Sequence, residues 1–222
     1  KTGITLSRNG VFPEPMRASG KPILKCRLRP QGNFSQDGKV NILYKFKTPD
    51  EYDKFISEYI SGDFSTLDME TFIPEVKKLK PGQTYLEIGV KHGKSLSVAL
   101  FAARKNVNVV GVDIEDTHER QELFRKLGFT NYAVFIHGES TKVARIWGTP
   151  IQLLFIDGDH SYRGVSADIR AWAKFVPTGG TILFHDCDES SPGVVQAVKR
   201  YFPKYELFKT PTKNTSMARV KI

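Results

Sequence analysis

Two apolar runs of strand length, each ending in acidic and imidazole side chains, constrain the fold of this 222-residue chain more than any other feature. The first run ends at Ile156, the second ends at Phe184, and apolar residues recur at helical spacing between them. A strand–helix–strand connection is right-handed and produces parallel strands whose carboxyl ends share one edge of the sheet. That edge is where open α/β folds bind ligands. It collects five titratable side chains, namely Asp157, Asp159, His160, His185 and Asp186. In the purely structural alternative, the acids start helices and the histidines lie in turns.

Strand and helix patterns alternate regularly from Thr84 onward. The predicted strands are Thr84–Ile88, Val107–Val112, Tyr132–Ile136, Ile151–Ile156 and Thr181–Phe184. The predicted helices are Ser95–Arg104, His118–Leu127, Ser140–Ile146, Val165–Phe175 and Gly193–Tyr201. Two last strands, Tyr205–Lys209 and Ser216–Ile222, add an antiparallel hairpin. This order predicts an α/β fold with a doubly wound, Rossmann-like sheet of about seven strands.

The first 47 residues differ in composition from the rest. They are rich in Gly, Pro, Asn and Arg, and two short strand candidates, Ile23–Leu28 and Val40–Phe46, flank a turn-rich stretch. We predict an irregular β-arm or lid over residues 1–47 and one domain over residues 48–222. That domain opens with two helices, the first starting at Thr48-Pro49 and the second capped by Ser65 or Thr66.

The net charge of +9 raises the possibility of a nucleic-acid partner, so its distribution matters. Residues 1–80 carry 14 basic and 10 acidic groups, and residues 199–222 carry 7 and 1. Residues 81–198, which hold the titratable cluster, carry 12 and 13 and are close to neutral. The charge excess therefore lies in the flanks, and a nucleic-acid partner is not indicated.

No apolar run approaches the roughly 18 residues of a membrane span, and no signal peptide opens the sequence. Cys26 and Cys187 are too few for a disulfide framework, which favours a reducing compartment such as the cytoplasm. The first residue is Lys1 and not Met, so we expect a piece of a longer polypeptide. The oligomeric state is not predictable from these features.

The segment that joins the first strand of the alternating region to its helix carries a glycine pattern, Gly89-x-x-x-Gly93. Gly89 allows a sharp turn beneath a ligand, Gly93 allows close approach at the helix start, and Ser95 can cap the helix. The spacing differs from the Gly-x-Gly-x-x-Gly of dinucleotide-binding proteins and from a phosphate loop. An acid, Asp113, ends the second strand 24 residues beyond Gly89, in the place of a carboxylate that binds ribose hydroxyls. Together these residues predict a nucleoside cofactor.

These residues carry a family resemblance over roughly residues 81–222. Glu87-x-Gly89-x-x-x-Gly93, Asp113, Gly138-Glu-Ser140 and Asp157 resemble the class I S-adenosylmethionine-dependent methyltransferases. More narrowly, the sequences around Asp157–Tyr162 and Gly179–Asp186 resemble the group that includes macrolide and aminocoumarin sugar O-methyltransferases. The resemblance implies that Glu87 and the Gly89–Gly93 loop, with Ser95 and Asp157, hold the methionine part of the cofactor. It further implies that Asp113 holds the ribose and Ser140 the adenine edge.

The same resemblance implies a divalent metal, Mg²⁺ or Mn²⁺, and a histidine base. The ligands of the metal would be Asp157, His185 and Asp186. His160, three residues beyond Asp157, would be the base. His185 departs from the family, which has an acid at that place. An imidazole there would favour Mn²⁺ or a similar ion over Mg²⁺. Alternatively, His185 is not a ligand and Asp159 or Asp188 takes its place.

The resulting prediction is an O-methyltransferase that acts on a sugar hydroxyl of a glycan or a glycosylated small molecule. A methyltransferase domain of a larger glycan-building enzyme would fit the start at Lys1. Methylation of a catechol-like aromatic diol is an alternative, because it uses the same metal geometry and would need an apolar acceptor wall. A non-catalytic module that binds cofactor or nucleic acid is the alternative of another class. The near-neutral central segment and the complete set of acids and histidines argue against it.

Overall fold

The computed structural model of the chain describes residues 5–6, 16–18, 21–23, 48–59, 62–103, 106–127, 129, 132–208 and 217–222. Its strands form one eight-stranded sheet and a separate two-stranded hairpin. Among the helices in these ranges, none combines the length and the apolar character that crossing a bilayer requires.

The N-terminal region contributes three short strands. β1 (Thr5–Leu6) pairs antiparallel with the strand Ala133–His137, while β2 (Met16–Ala18) and β3 (Lys21–Ile23) form the hairpin. Of the predicted strand Ile23–Leu28, Ile23 lies in β3 and residues 24–28 lie outside the described residues, as does the predicted strand Val40–Phe46. The division into an arm of residues 1–47 and a domain of residues 48–222 stays a prediction.

Two helices precede the main sheet, as the sequence predicts. α1 (Pro49–Ser57) starts at Thr48, whose side chain accepts a hydrogen bond from the Glu51 amide. α2 (Thr66–Lys77) starts at Ser65 in a capping box, in which the Ser65 hydroxyl and the Asp68 carboxylate each accept from the other residue's amide. The cap of the second helix is therefore Ser65 and not Thr66.

The remaining elements alternate between strand and helix. The strands are β4 (Thr84–Ile88), β5 (Asn108–Asp113), β6 (Ala133–His137), β7 (Leu153–Ile156), β8 (Thr181–Phe184), β9 (Glu206–Phe208) and β10 (Met217–Lys221). The helices are α3 (Lys94–Ala102), α4 (His118–Lys126), α5 (Ser140–Val143), α6 (Tyr162–Trp172) with a 3₁₀ turn over Ala173–Phe175, and α7 (Pro192–Tyr201). The predicted mixed α/β fold with a Rossmann-like sheet is confirmed.

The order of the strands creates a switch point in the middle of the sheet. That order is β1-β6-β5-β4-β7-β8-β10-β9, with β4 to β8 parallel and β10 antiparallel to both of its neighbours. From β4 the chain first builds outward through β5 and β6, then returns to place β7 on the other side of β4. Ligands bind outside the carboxyl ends of the strands at such a reversal.

Each face of the sheet is covered by its own apolar core. One core centres on Phe72, Leu96 and Phe124 beneath α1 to α4. The other centres on Trp172, Ile182 and Val198 beneath α5 to α7. Every residue of β4, β7 and β8 is buried, which is expected of parallel strands covered on both faces.

Candidate active site

The loop after β4 and the segment after β7 meet at the switch point. Gly89 has φ +84°, and a Cβ atom there would lie 2.2 Å from the Asp157 carbonyl oxygen, so only glycine fits. Gly93 has φ +91°, and a Cβ atom there would lie 2.9 Å from the Phe124 ring. Both glycines of the predicted pattern are therefore required by close packing around the loop.

Glu87 lies beneath this loop and not on the surface of a cleft. Its carboxylate is fully buried and accepts hydrogen bonds of 2.5 Å from the Ser95 and Tyr85 hydroxyls. Burial raises the pKa of Glu87 to about 8, although the two hydroxyl donors act in the opposite direction. The prediction that Ser95 caps α3 is wrong, since the cap is Gly93 and Ser95 sits inside the helix.

Asp113 at the end of β5 ties two loops together. Its Oδ2 accepts from the amides of Val90 and Lys91, each at 2.6 Å, and its Oδ1 accepts from the Glu115 amide at 2.8 Å. A carboxylate oxygen can accept two hydrogen bonds, so Oδ1 keeps one lone pair for a ligand. Asp113 is thus both a loop anchor and a candidate ribose acceptor.

A cleft of about 600 Å³ runs along the carboxyl ends of β4, β5 and β6. Among the residues lining it are Asp113, Ser140 and Ile114, whose side chain is 67% exposed. Ser140 donates a short hydrogen bond to Asp168. Burial raises the pKa of Asp168 to about 6, although the Ser140 bond lowers it in part. The cleft combines an apolar side chain with several polar groups, as adenosine recognition requires.

A second cleft of about 220 Å³ continues from the first. The two share four lining residues, which are Gly89, Lys91, Asp157 and Gly158. The second is also lined by Phe64, His92, Ser95, His160, His185 and Asp186. A ligand lying in the first cleft would therefore reach the titratable cluster across the Gly89 loop.

That cluster consists of two carboxylates and two imidazoles. His185 Nδ1 lies 3.0 Å from Asp186 Oδ2 and 3.2 Å from Asp157 Oδ1. His160 Nε2 lies 3.4 Å from Asp186 Oδ2 and 3.6 Å from Asp157 Oδ1. Asp186 has φ +51°, an uncommon conformation for a residue other than glycine. The structure thus brings together four of the five residues that the sequence placed at two strand ends, all except Asp159.

The carboxylates shift the pKa values of both histidines. Burial lowers the pKa of His185, but Asp157, Asp186 and Asp68 outweigh it and hold this pKa well above its ordinary value. The Asp157 carboxylate raises the pKa of His160. The pKa of Asp186 is lowered, mainly by its hydrogen bond with His185.

The geometry suits a divalent cation. Ligand atoms of Asp157, His160 and Asp186 lie within 4.8 Å of one another. The His185 ring is 4% exposed and presents Nδ1 to the same two carboxylates, so either imidazole could complete the set. Two carboxylate oxygens and one nitrogen fit Mn²⁺ at least as well as Mg²⁺.

Asp159 and Asp188 make contacts typical of residues at the start of turns. Asp159 accepts from the Ser161 amide and hydroxyl, and Asp188 accepts from those of Ser190. These contacts engage the carboxylates locally, as the structural interpretation of such acids predicts.

Two further residues approach the site that the sequence did not single out. Asp68 of α2 lies 3.5 Å from His185 Nε2, and its only sequence signal is the capping pattern with Ser65. Arg120 of α4 is 2% exposed and donates to the carbonyls of Lys91 and Glu115, each at 2.9 Å. A buried arginine on an amphipathic helix gives no signal in a single sequence.

Residues 86–187 match a family described as a methyltransferase domain. These are 102 of the 222 residues of the chain. Over that stretch the chain is similar to methyltransferase domains, and its Rossmann-like fold is the fold of solved O-methyltransferases.

Particular relatives then narrow the comparison. A curated relative, the uncharacterized protein R132 of Acanthamoeba polyphaga mimivirus, is 32% identical over 137 residues, which cover 54% of this chain. The match spans 60% of that relative's own length. The fold is similar to an O-methyltransferase of Bacillus cereus solved with SAH (TM-score 0.60, 14% identity, 82% of this chain and 94% of that one). It is also similar to CalS11, a TDP-rhamnose 3'-O-methyltransferase of calicheamicin biosynthesis (TM-score 0.56, 16% identity, 82% of this chain and 99% of that one).

Proposed function

We propose that this chain is an S-adenosylmethionine-dependent O-methyltransferase that acts on a sugar hydroxyl of a glycan or a glycosylated small molecule. One observation carries the proposal. The cofactor-sized cleft and the cleft holding His160, Asp157 and Asp186 share the Gly89 loop, so a donor in one would face an acceptor in the other.

The cofactor part follows the lining of the clefts. Asp113 would accept from the ribose, Ser140 and Ile114 would contact the adenine, and the Gly89–Gly93 loop with Ser95 would hold the methionine end. Glu87 would act from beneath this loop through Ser95. The solved Bacillus cereus enzyme with bound SAH supports the same cofactor here.

Methyl transfer from sulfur to oxygen is an in-line displacement that needs alignment and removal of the hydroxyl proton. His160 would take that proton, because its half-exposed ring lines the smaller cleft. Asp157 and Asp186, with His185, would hold a divalent cation, which orients vicinal hydroxyls and lowers their pKa. The carboxylates also keep the His160 ring pointing into the cleft.

The composition of the smaller cleft favours a sugar over the two alternatives. Phe64 is its one aromatic side chain among the described lining residues, whereas a catechol-like acceptor calls for an apolar wall. Asp63, Asp157 and Asp186 line it beside Lys91 and Lys94, so the lining is mixed in charge and offers no basic track for a nucleic-acid backbone. CalS11, a structural neighbour named for a TDP-rhamnose acceptor, supports the same choice. A reducing compartment such as the cytoplasm suits the buried Cys187 thiol.

The test is methyl transfer from radiolabelled S-adenosylmethionine to matched acceptor panels. Deoxysugar glycosides, catechols and structured RNA would be assayed with chelator and after Mn²⁺ or Mg²⁺ is restored. We expect transfer to a glycoside that is lost with chelator and recovered with metal. Transfer only to catechol or RNA would overturn the sugar assignment, and binding of NAD without response to S-adenosylmethionine would overturn the class of reaction.

A further inference from the structure

Asp68 of α2 makes a contact with the titratable cluster that helix capping does not explain. It precedes the family match, which covers residues 86–187, and it is 2% exposed. Its Oδ2 accepts from the Ser65 amide at 2.7 Å and from the Ser65 hydroxyl at 2.6 Å. The same oxygen lies 3.5 Å from His185 Nε2. The capping box accounts for the bond from the Ser65 amide and for the bond from the Asp68 amide to the Ser65 hydroxyl, but not for the approach of Oδ2 to His185.

The ring of His185 is held so that its two nitrogens face opposite groups. Phe64 and Phe155 pack against the ring, with centroid separations of 5.7 and 6.1 Å. Nδ1 faces Asp157 and Asp186, and Nε2 faces Asp68. Nε2 is buried, and within the described part of the chain it has no hydrogen bond of ordinary geometry. Asp68 is therefore the acceptor available to this nitrogen, and leaving a buried N–H unpaired is costly.

We propose that Asp68 is a positioning residue that accepts the Nε2 proton of His185 and thereby directs Nδ1 toward a divalent cation held with Asp157 and Asp186. Metal-binding histidines commonly donate their other ring N–H to a carboxylate, which fixes the tautomer and the ring orientation. The inference rests on the metal-assisted function proposed above. It assigns part of the site to α2, an element outside the alternating region.

The helix supplies matched controls for the test. Ser65→Ala removes a capping hydroxyl from the same carboxylate without altering the acceptor that faces His185. Glu75→Gln changes another buried acid of α2, whose partners are Lys78, Arg219 and Lys221 rather than the cluster. Asp68→Glu keeps the acceptor and serves as the conservative variant.

The experiment is a titration of the purified full chain with Mn²⁺, read by electron paramagnetic resonance. Asp68→Asn should weaken Mn²⁺ binding by about 10–100-fold, and Asp68→Glu should recover part of it. Ser65→Ala and Glu75→Gln should bind Mn²⁺ as the original chain does, whatever their melting temperatures. Affinity for S-adenosylmethionine, measured by calorimetry without metal, should not follow the Mn²⁺ losses.

A double-mutant comparison separates positioning from general destabilisation. With His185→Gln already present, Asp68→Asn should change Mn²⁺ affinity by no more than about twofold, because its effect passes through the missing ring. An equal loss in both backgrounds, or unchanged Mn²⁺ affinity in a folded Asp68→Asn variant, would overturn the inference. If Asp68→Asn does not fold, the Mn²⁺ affinities of Asp68→Glu and Ser65→Ala are compared with and without His185→Gln. A loss in Asp68→Glu that disappears when His185→Gln is present supports positioning, and an equal loss in both backgrounds contradicts it. Chelator-insensitive methyl transfer without Mn²⁺ binding would reject the metal and this inference while leaving the methyltransferase proposal intact.

Discussion

At the scale of single residues, Asp113 combines two tasks that a sequence pattern cannot separate. It anchors the amides of Val90, Lys91 and Glu115, and it offers one remaining lone pair to the cleft. Loss of the carboxylate would leave three amides without their acceptor and a ribose without its charged partner.

We therefore expect Asp113→Ala to weaken S-adenosylmethionine binding by about 1–3 kcal/mol, the cost of unpairing buried polar groups. Calorimetry with the cofactor and with its 2'-deoxyribose analogue separates the effect of losing the loop anchor from the effect of losing the ribose contact. If Asp113 binds the ribose, removing the 2'-hydroxyl should cost affinity in the original chain and little in the variant. Glu122→Gln, an exposed change on α4, is the control, and equal binding by all three proteins would contradict the assignment.

His160 is the residue whose role is most directly tested by pH. A general base must be neutral, so turnover should fall as pH drops below the His160 pKa, which Asp157 raises above its ordinary value. His160→Ala should lower kcat by about 10²–10⁴-fold and remove that acidic limb of the profile. Cofactor affinity should stay nearly constant, because the ring belongs to the smaller cleft.

The control for this change is His118→Ala, an exposed histidine at the start of α4. Turnover and melting temperature would be measured on the same samples. A stable His160→Ala variant with full turnover would show that another group takes the proton. A variant that loses only stability would show that His160 is structural.

At the scale of elements, α4 fixes the geometry of the Gly89–Gly93 loop. Arg120 donates to the carbonyl of Lys91 in the Gly89–Gly93 loop and to the carbonyl of Glu115 in the loop after β5. Its guanidinium also lies 4.8 Å from the centre of the Phe135 ring. The planar guanidinium group carries several N–H donors and can bond to both carbonyls at once. A lysine ammonium does not offer this fixed, planar set of donors.

Arg120→Lys should consequently raise the KM for S-adenosylmethionine by about tenfold, the equivalent of losing one charged hydrogen bond, and change kcat little. Steady-state kinetics with saturating acceptor gives the two constants separately. Arg125→Met, an exposed position on the same helix, is the matched control. A kcat loss at constant KM would mean that Arg120 does not act through the Gly89–Gly93 loop.

The elements also show what the sequence could predict. β4 and β8 have the predicted bounds, Thr84–Ile88 and Thr181–Phe184, because buried parallel strands carry large apolar side chains on both faces. α5 ends at Val143, three residues before its predicted end, and β1 and β2 were not predicted. Strands of two or three residues are too short to display a period. The roles of Asp68 and Arg120 were not predicted for another reason, because they arise from contacts across the fold.

At the scale of the whole molecule, an ionic network centred on the buried carboxylate of Glu75 joins α2 to the C-terminal strands. Glu75 of α2 is 4% exposed and bonds to Lys78, to Arg219 at 2.5 Å and to Lys221 at 2.9 Å. Arg219 also pairs with Glu206 of β9. This network ties α2 to β10, which lies between β8 and β9 in the sheet.

The same network predicts how stability responds to acid. Burial alone would raise the pKa of Glu75, but its three cationic partners lower it to about 2 from an ordinary 4.5. A lowered folded-state pKa means that the unfolded chain binds the proton more tightly. The Glu75 contribution is therefore fully present above pH 4.5 and is lost as the pH falls through 2, by about 3 kcal/mol in total.

Urea unfolding between pH 6 and pH 3 tests this prediction. Glu75→Gln should lower the free energy of unfolding at pH 6 and flatten its decline toward pH 3, because the variant has no carboxylate to protonate. Glu70→Gln, an exposed position on the same helix, should keep the original pH dependence. Identical pH slopes for Glu75→Gln and the original chain would mean that the network contributes no pH-dependent stability, and that α2 is held against the sheet by its apolar face alone.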